Sequence, residues 1–560
     1  FLAELVEAVE DIPGRVIAEG MQCDWETFEE FLDSIERKEL ACDVGVMVGH
    51  CAIRAWVMGK QANFADRPGG AQKNPVLPHQ IEAMSKLVRD CVAAGALGFS
   101  TSRLIAHRDP KGVLTPGALA GHEEILAIAR GIAEGGGGAF QMSHDLACYD
   151  DFLGKGGPDM QRIAAHRKSE TQWMVDIAKE HGHKVGLSFN ILSQMQALGI
   201  VKKVIANGGR VAAQTLARAQ GFLFAFGARM HPFTTSQTFK KVAQQHPAVG
   251  DRLDLLARLR DPEARSAIMR ETTEFFDQKK KRDQAQFQLF NLFPLDGIFK
   301  WTPAYEPSPE DSLAAIAARE GRAPLEVAYD VLVGGGILWR PFAGWDGSYE
   351  STRELLESGV CVPGFADAGA HGTIFQDSCV ASWMLSHFVR DRTRGPRMSL
   401  ERVVKLNTHD IASFFGMDDR GVIAPGKKAD LNIIDFEKLK IARPHMANDL
   451  PLGHFRWLQD VEGYHLTLVS GRATYRHGGP TGELPGRLVR NPRRDASAWR
   501  GVAAEVSGPF DSGVLEPGAA DDGDSQTRAL DGAGTMGASA AARVMRSVDE
   551  EAGEGPQSRL

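Results

Sequence analysis

The sequence predicts an α/β protein: an incomplete (β/α)8 barrel of the TIM type, then a small all-β module, then a disordered tail. Three observations predict it. From Asp43 to Asp367 short apolar runs ending in small or polar residues alternate with helical periodicity, the pattern of βα units. After Asn407 that alternation gives way to Gly and Pro turns between short Leu, Ile and Val runs. Beyond Asn491 the chain holds twelve acidic residues, seven arginines and no lysine, with Trp499 and Phe510 its only aromatic residues. Such a segment buries too little apolar surface to offset its ordering entropy.

Seven runs read as strands: Val44 to His50, Ala96 to Ser100, Ala139 to His144, Val185 to Asn190, Val211 to Thr215, Ile337 to Phe342 and Val360 to Asp367. A closed barrel needs eight. Between them, Ile81, Met84, Leu87, Val88, Cys91 and Val92 keep the i, i+3, i+4, i+7 spacing of a helix that Gly95 closes. Helices are also expected near Glu123 to Ala133, Thr171 to Lys179 and Ser351 to Leu356. Gly135 to Gly138 follow a helix and precede a strand, so they read as a permissive turn; a phosphate loop would follow a strand and open a helix. The charged, helical stretch from Phe239 to Phe290, with its Lys279 to Lys281 run, reads as an insertion with a solvated face. The expected domains are thus 1–406, 407–490 and a tail over 491–560.

Composition removes several function classes. The 560 residues are 43% hydrophobic and 24% charged, and 64 basic against 72 acidic residues give a net charge of −8. No positive field exists to hold nucleic acid or an anionic membrane surface. No apolar run approaches the roughly 18 to 20 residues of a membrane helix, and the opening FLAELVEAVEDIPG reads as an acidic amphipathic helix, unlike a signal peptide. Seven dispersed cysteines without a CxxC pair fit a reducing compartment, and a cytoplasmic protein is expected. A chain that opens on Phe1, in mid-helix pattern, reads as the remainder of a longer product.

In a barrel, reacting groups sit where strands end, which selects His50, Ser100, His144, Asn190 and Asp367. A divalent metal at that mouth would take imidazole and carboxylate ligands, and a carboxylate could accept the proton of an attacking water. Spacing alone leaves His144 open between a ligand and a hydrogen-bonded structural residue, and Asp367 between an acid–base group and a helix cap. His371, four residues beyond Asp367 across Ala368, Gly369 and Ala370, is either a substrate contact or a loop residue in water. His231 in RMHPF is a further candidate. His181-Gly182-His183 sits at a helix end before a strand, where histidines answer the helix dipole. GxSxG, GxxxxGKS and HExxH are absent.

Five passages resemble the amidohydrolase superfamily and, within it, the D-aminoacylase (N-acyl-D-amino-acid deacylase) group. They are GHCAIRAWVMG (Gly49 to Gly59), GALGFSTS (Gly95 to Ser102), QMSHD (Gln141 to Asp145), GFADAGAH (Gly364 to His371) and DRGVIAPGKKADLNIID (Asp419 to Asp435), continued by LVSGRATYRHGG. The resemblance implies that Asp367 is the catalytic base and, with His144, part of a zinc site. Arg54, His371 and Ser100 would contact the substrate, Arg54 by pairing with its carboxylate through a planar fork. The implied reaction is hydrolysis of an N-acylated amino acid, with one zinc ion, a small-molecule substrate, and residues 407–490 as part of a β-sandwich.

Departures from the pattern are as informative. The superfamily's first-strand His-x-His and the group's second-strand Cys ligand do not appear, so those strands and ligands are expected upstream of Phe1. One of the seven candidate strands, Val211 to Thr215 or Ile337 to Phe342, is then surplus. Asn190 stands where a sixth-strand His is usual, and Asn is a poor transition-metal ligand. Two alternatives follow: a catalytically inert binding module, or a cyclic-amide hydrolase akin to hydantoinases, whose carbamylated Lys is not identifiable here.

Overall fold

Six parallel strands, hydrogen-bonded in chain order, form the central sheet. The computed structural model describes residues 7, 12–59, 62, 76–104, 107, 113–144, 160–192, 195–217, 221–228, 230–245, 252–277, 295–341, 347–364, 366, 370, 372–374 and 378–492. The chain divides into two units, Phe1–Ser507 and Gly508–Leu560, and the second lies outside the described residues, as does nearly all of the expected tail.

In chain order the strands are β1 (Val48–Gly49), β2 (Gly98–Ser102), β3 (Gly138–Ser143), β4 (Val185–Leu192), β5 (Arg210–Leu216), β6 (Phe222–Phe224), β7 (Phe299–Lys300), β8 (Leu338–Arg340) and β9 (Cys361–Gly364). The parallel sheet runs β1-β2-β3-β4-β5-β9, and β6-β8-β7 form a separate antiparallel sheet. This settles which candidate strand is surplus: Val211 to Thr215 lies in the sheet as β5, whereas Ile337 to Phe342 contributes β8 outside it. The reason is pairing, because β8 meets Phe222–Phe224 and Phe299–Lys300 antiparallel while β5 accepts β4 and β9 parallel on its two sides.

The first run is mostly not a strand. Only Val48–Gly49 joins the parallel sheet, Val44 forms an isolated bridge with Leu488, and His50 opens the helix His50–Met58 with Gly49 as its cap. The helix from Ile81 is Pro78–Ala94, ending at Gly95 with φ +132°, a value that favours glycine. The other expected helices are longer than their apolar stripes: His122–Glu134, Met160–His181 and Glu350–Glu357. Gly136 and Gly137 have positive φ and make the tight entry into β3.

Alternation sorts the strand residues. Phe99, Phe140, Met142, Leu187, Phe189, Val211 and Ala213 pack with Met84, Val88, Ile128, Trp173 and Val201 of the surrounding helices. The opposite parity faces the barrel interior, where Met47, Ala139, Ala212 and Val362 are plugged from below by Phe414 and Phe415. The insertion is larger than its charge pattern suggested, because Phe224 of β6 and Leu338 of β8 build a second core with Phe226, Phe233, Leu256, Leu259, Ile268 and Tyr329. Its helices include Gln237–Gln245, Arg252–Leu259 and Pro262–Asp277; Lys279 to Lys281 lie outside the described residues. The last module is antiparallel, with Leu431–Ile434, Tyr464–Val469, Arg472–Arg476 and Gly479–Pro480 in one sheet. Among the described residues no helix is long and apolar enough to cross a membrane.

Candidate functional site

The C-terminal ends of β1 to β4 gather two buried ion pairs and His144. His50, directly after β1, is fully enclosed: its Nε2 lies 2.8 Å from Glu124 Oε1 and its Nδ1 lies 2.8 Å from Thr101 Oγ1. A carboxylate only accepts, so Nε2 carries the proton and Nδ1 accepts from the Thr101 hydroxyl. Burial holds the imidazole below its ordinary pKa, against the opposing pull of Glu124. Gly117, at φ +92°, presses its backbone on this ring; a Cβ there would stand 2.3 Å from Nδ1.

Arg54 joins the same network. Its Nε and Nη2 donate to the two oxygens of Glu124 at 2.8 and 3.1 Å, and Nη1 donates to the Ala62 carbonyl. The side chain is 1% exposed. The fork that would receive a substrate carboxylate is therefore already filled, and such a carboxylate would have to displace Glu124. Burial raises the carboxyl pKa of Glu124, but His50 and Arg54 together lower it further, so it is held below its usual value.

A second pair closes the next strand end. Arg103, one residue past β2, donates to both oxygens of Glu170 at 2.7 and 2.8 Å and to the Ala120 carbonyl, while its guanidinium lies over the Trp173 ring. Its backbone N–H donates to Ser143 O at 2.7 Å, tying the ends of β2 and β3.

His144 stands one residue past β3, 4% exposed. Its backbone N–H donates to Asn190 Oδ1 at 2.9 Å, and its ring lies 5.7 Å from Phe189. Burial pushes the imidazole pKa down to about 3. Ser100 sits in the middle of β2, between Gly49 and Gln141 in register and half-buried on the interior face. Asp367 and His371 lie outside the described residues. The structure thus brings His144 together with Asn190, and leaves Arg54 on the helix side with Glu124.

Among the described residues no group of three His, Cys, Asp or Glu converges on a point that a metal ion could occupy. His144 offers one imidazole and Asn190 a carboxamide already engaged, so the described residues by themselves do not supply a zinc ligand set. Two other histidines singled out in the sequence have structural contacts. His231 is fully buried, accepts from the Phe233 N–H at Nδ1 and meets Phe239 edge-on at 4.5 Å. His181 ends its helix and its carbonyl accepts from the Lys184 N–H.

Glu124, Arg103, Glu170 and Gly117 were not singled out from the sequence. A signal existed for one: Glu124 lies four residues before Ile128, on the apolar stripe of its helix, where a carboxylate needs a buried partner.

A 136-residue stretch is 29% identical to D-aminoacylase of Alcaligenes xylosoxydans, covering 24% of this chain and 24% of that protein. An uncharacterized protein of Mycobacterium bovis is 24% identical over 460 residues, covering 77% of this chain and 68% of the relative. A crystal structure of D-aminoacylase superposes with a TM-score of 0.43 at 19% identity, over 83% of this chain and 75% of that one. The sequence profile of the amidohydrolase family matches residues 8–475 of the 560, and the chain belongs to that family.

Proposed function

We propose that the protein hydrolyses linear amides, with N-acyl-D-amino acids as the substrate class. The observation that carries this reading is the place of His144: buried, at the C-terminal end of a parallel strand inside a matched amidohydrolase sequence, on the face where barrel enzymes gather reacting groups. The similarity to D-aminoacylase supports the substrate class, over about a quarter of that relative's length. In this reading Asp367 takes the proton of the attacking water, Ser100 and His371 contact the substrate, and Arg54 acts indirectly by fixing Glu124 and His50. A zinc ion held in part by His144 and Asp367 belongs to the same reading.

The test is hydrolysis of a panel of N-acetyl-D- and N-acetyl-L-amino acids, with a cyclic amide included, alongside metal content by mass spectrometry. Turnover of the D series that Asp367→Asn abolishes is expected. Metal-replete protein that turns over no N-acyl amino acid overturns the proposal. The second reading, a binding module without catalysis, is favoured by the engagement of the Asn190 carboxamide with the His144 backbone. Ligand binding without turnover in the same panel would select it.

A further inference from the structure

The antiparallel module ends in two consecutive hairpins, and each turns on two residues of positive φ. Ser470 and Gly471 (φ +51° and +78°) join Tyr464–Val469 to Arg472–Arg476, and His477 and Gly478 (φ +49° and +81°) join Arg472–Arg476 to Gly479–Pro480. Two left-handed residues in a two-residue loop mark the type I′ hairpin, whose first position favours Asn, Asp or Gly. Serine serves in the first of these turns, so nothing in the backbone calls for an imidazole in the second.

That imidazole meets another across the sheet. Leu466 pairs with Arg476, and the His477 N–H donates to His465 O at 2.9 Å, which sets residues 465 and 477 opposite each other on neighbouring segments. Their ring centroids are 5.6 Å apart, with the ring planes at 89°. Two imidazoles on one ion, each with a metal–nitrogen bond of about 2.0–2.1 Å, hold their centroids about 5 Å apart at a tetrahedral angle, so this pair closes on an ion with a movement of roughly half an ångström. His477 is exposed and the His465 side chain is 43% exposed, which leaves both rings room to make that movement by rotation. Asp435 Oδ2 stands 3.9 Å from His465 Nε2 and already takes Lys438 Nζ at 3.1 Å. It adds negative charge beside the pair without completing a cage of three ligands, and no such cage is present among the described residues.

We propose that His465 and His477 form a two-imidazole site for a divalent transition-metal ion, Cu(II), Ni(II) or Zn(II), with water in the remaining positions. Imidazole suits these ions, whereas magnesium and calcium call for oxygen ligands. Copper stands first among them in affinity. The hairpin backbone fixes both residues before the ion arrives, so the second imidazole binds as an intramolecular ligand at high effective concentration. An ion held there ties the His477–Gly478 turn to the strand Tyr464–Val469. The site uses none of the residues assigned to amide hydrolysis and stands or falls apart from that activity.

The experiment titrates Cu(II) into the full chain and into its His465→Thr and His477→Asn variants by isothermal calorimetry. Threonine suits a strand and asparagine the first position of a type I′ turn, so both variants keep the hairpins. The expected result is a binding event in the native chain that weakens about tenfold or more in each variant, since each keeps only one of the two ligands. Electron paramagnetic resonance of the Cu(II)-loaded native chain should show a two-nitrogen component that both variants lack. Equal Cu(II) affinity and stoichiometry in the three proteins overturns the site, and so does weakening in one variant alone, which would mark a contact with a single histidine. Magnesium binding that depends on the same histidines overturns the class of ion. If either variant fails to fold, protection of the native chain from diethyl pyrocarbonate by Cu(II) decides by peptide mass spectrometry. Protection of both His465 and His477 supports the pair, and protection of one or neither overturns it.

Discussion

His50 and Glu124 meet at 2.8 Å inside the protein, on helices that begin after β1 and before β3, and Arg54 grips the same carboxylate from one helical turn further on. One acidic side chain thereby fixes two elements that leave the sheet in different places.

Removing that carboxylate alone strands a buried cation. Glu124→Ala should lower stability by about 3–5 kcal/mol, because Arg54 stays buried without its counter-charge. Glu124→Met combined with Arg54→Met should recover most of the loss. Urea unfolding midpoints measure both, and a double variant as unstable as the single one would disprove the account.

Gly117 and Gly199 should respond oppositely to alanine. At Gly117 the new Cβ would stand 2.3 Å from His50 Nδ1 at φ +92°, and a loss of at least about 2 kcal/mol is expected. Gly199 lies within the helix Leu198–Ala206 with nothing within 4 Å of the added Cβ. Alanine there should gain roughly 0.5–1 kcal/mol. Thermal melts of the two variants make the comparison.

The segment after Leu484 is a strap, and cutting it should matter. Gly486 and Val489 donate to Leu40 O and Val44 O at 2.8 and 2.7 Å, and Asn491 donates to Gly95 O and, through Nδ2, to Gly137 O. A chain ended after Leu484 should melt several degrees below one ended after Pro492. Equal melting temperatures would show that the strap adds nothing.

Glu306 should make stability depend on acid. Burial raises its pKa, but hydrogen bonds from His387, Arg392 and the Tyr349 N–H lower it more, to about 2 from an ordinary 4.5. The folded value is the lower one, so its contribution is complete above about 4.5 and is lost as pH falls towards 2. The stability difference between the native protein and Glu306→Gln should therefore shrink across that window. A difference that stays constant from pH 5 to pH 2 would contradict it.

The sequence by itself determined the alternation, five of the six sheet strands nearly at their observed bounds, and the placement of His144 at a strand end. Those features are local: strand and helix periods, and the glycines that close helices, are written into neighbouring residues. Tertiary structure decided the rest. Ile337 to Phe342 and Val211 to Thr215 look alike as apolar runs, and only their partners put β5 in the barrel sheet and β8 outside it. Arg54 looked like a free fork because nothing nearby in the chain announces Glu124, seventy residues away, as its counter-charge. Ser188 and Gln214 belong to different strands, and only the register of β4 on β5 makes them one polar lining. Charge pairing and site chemistry depend on contacts between distant segments, which local periodicity does not encode.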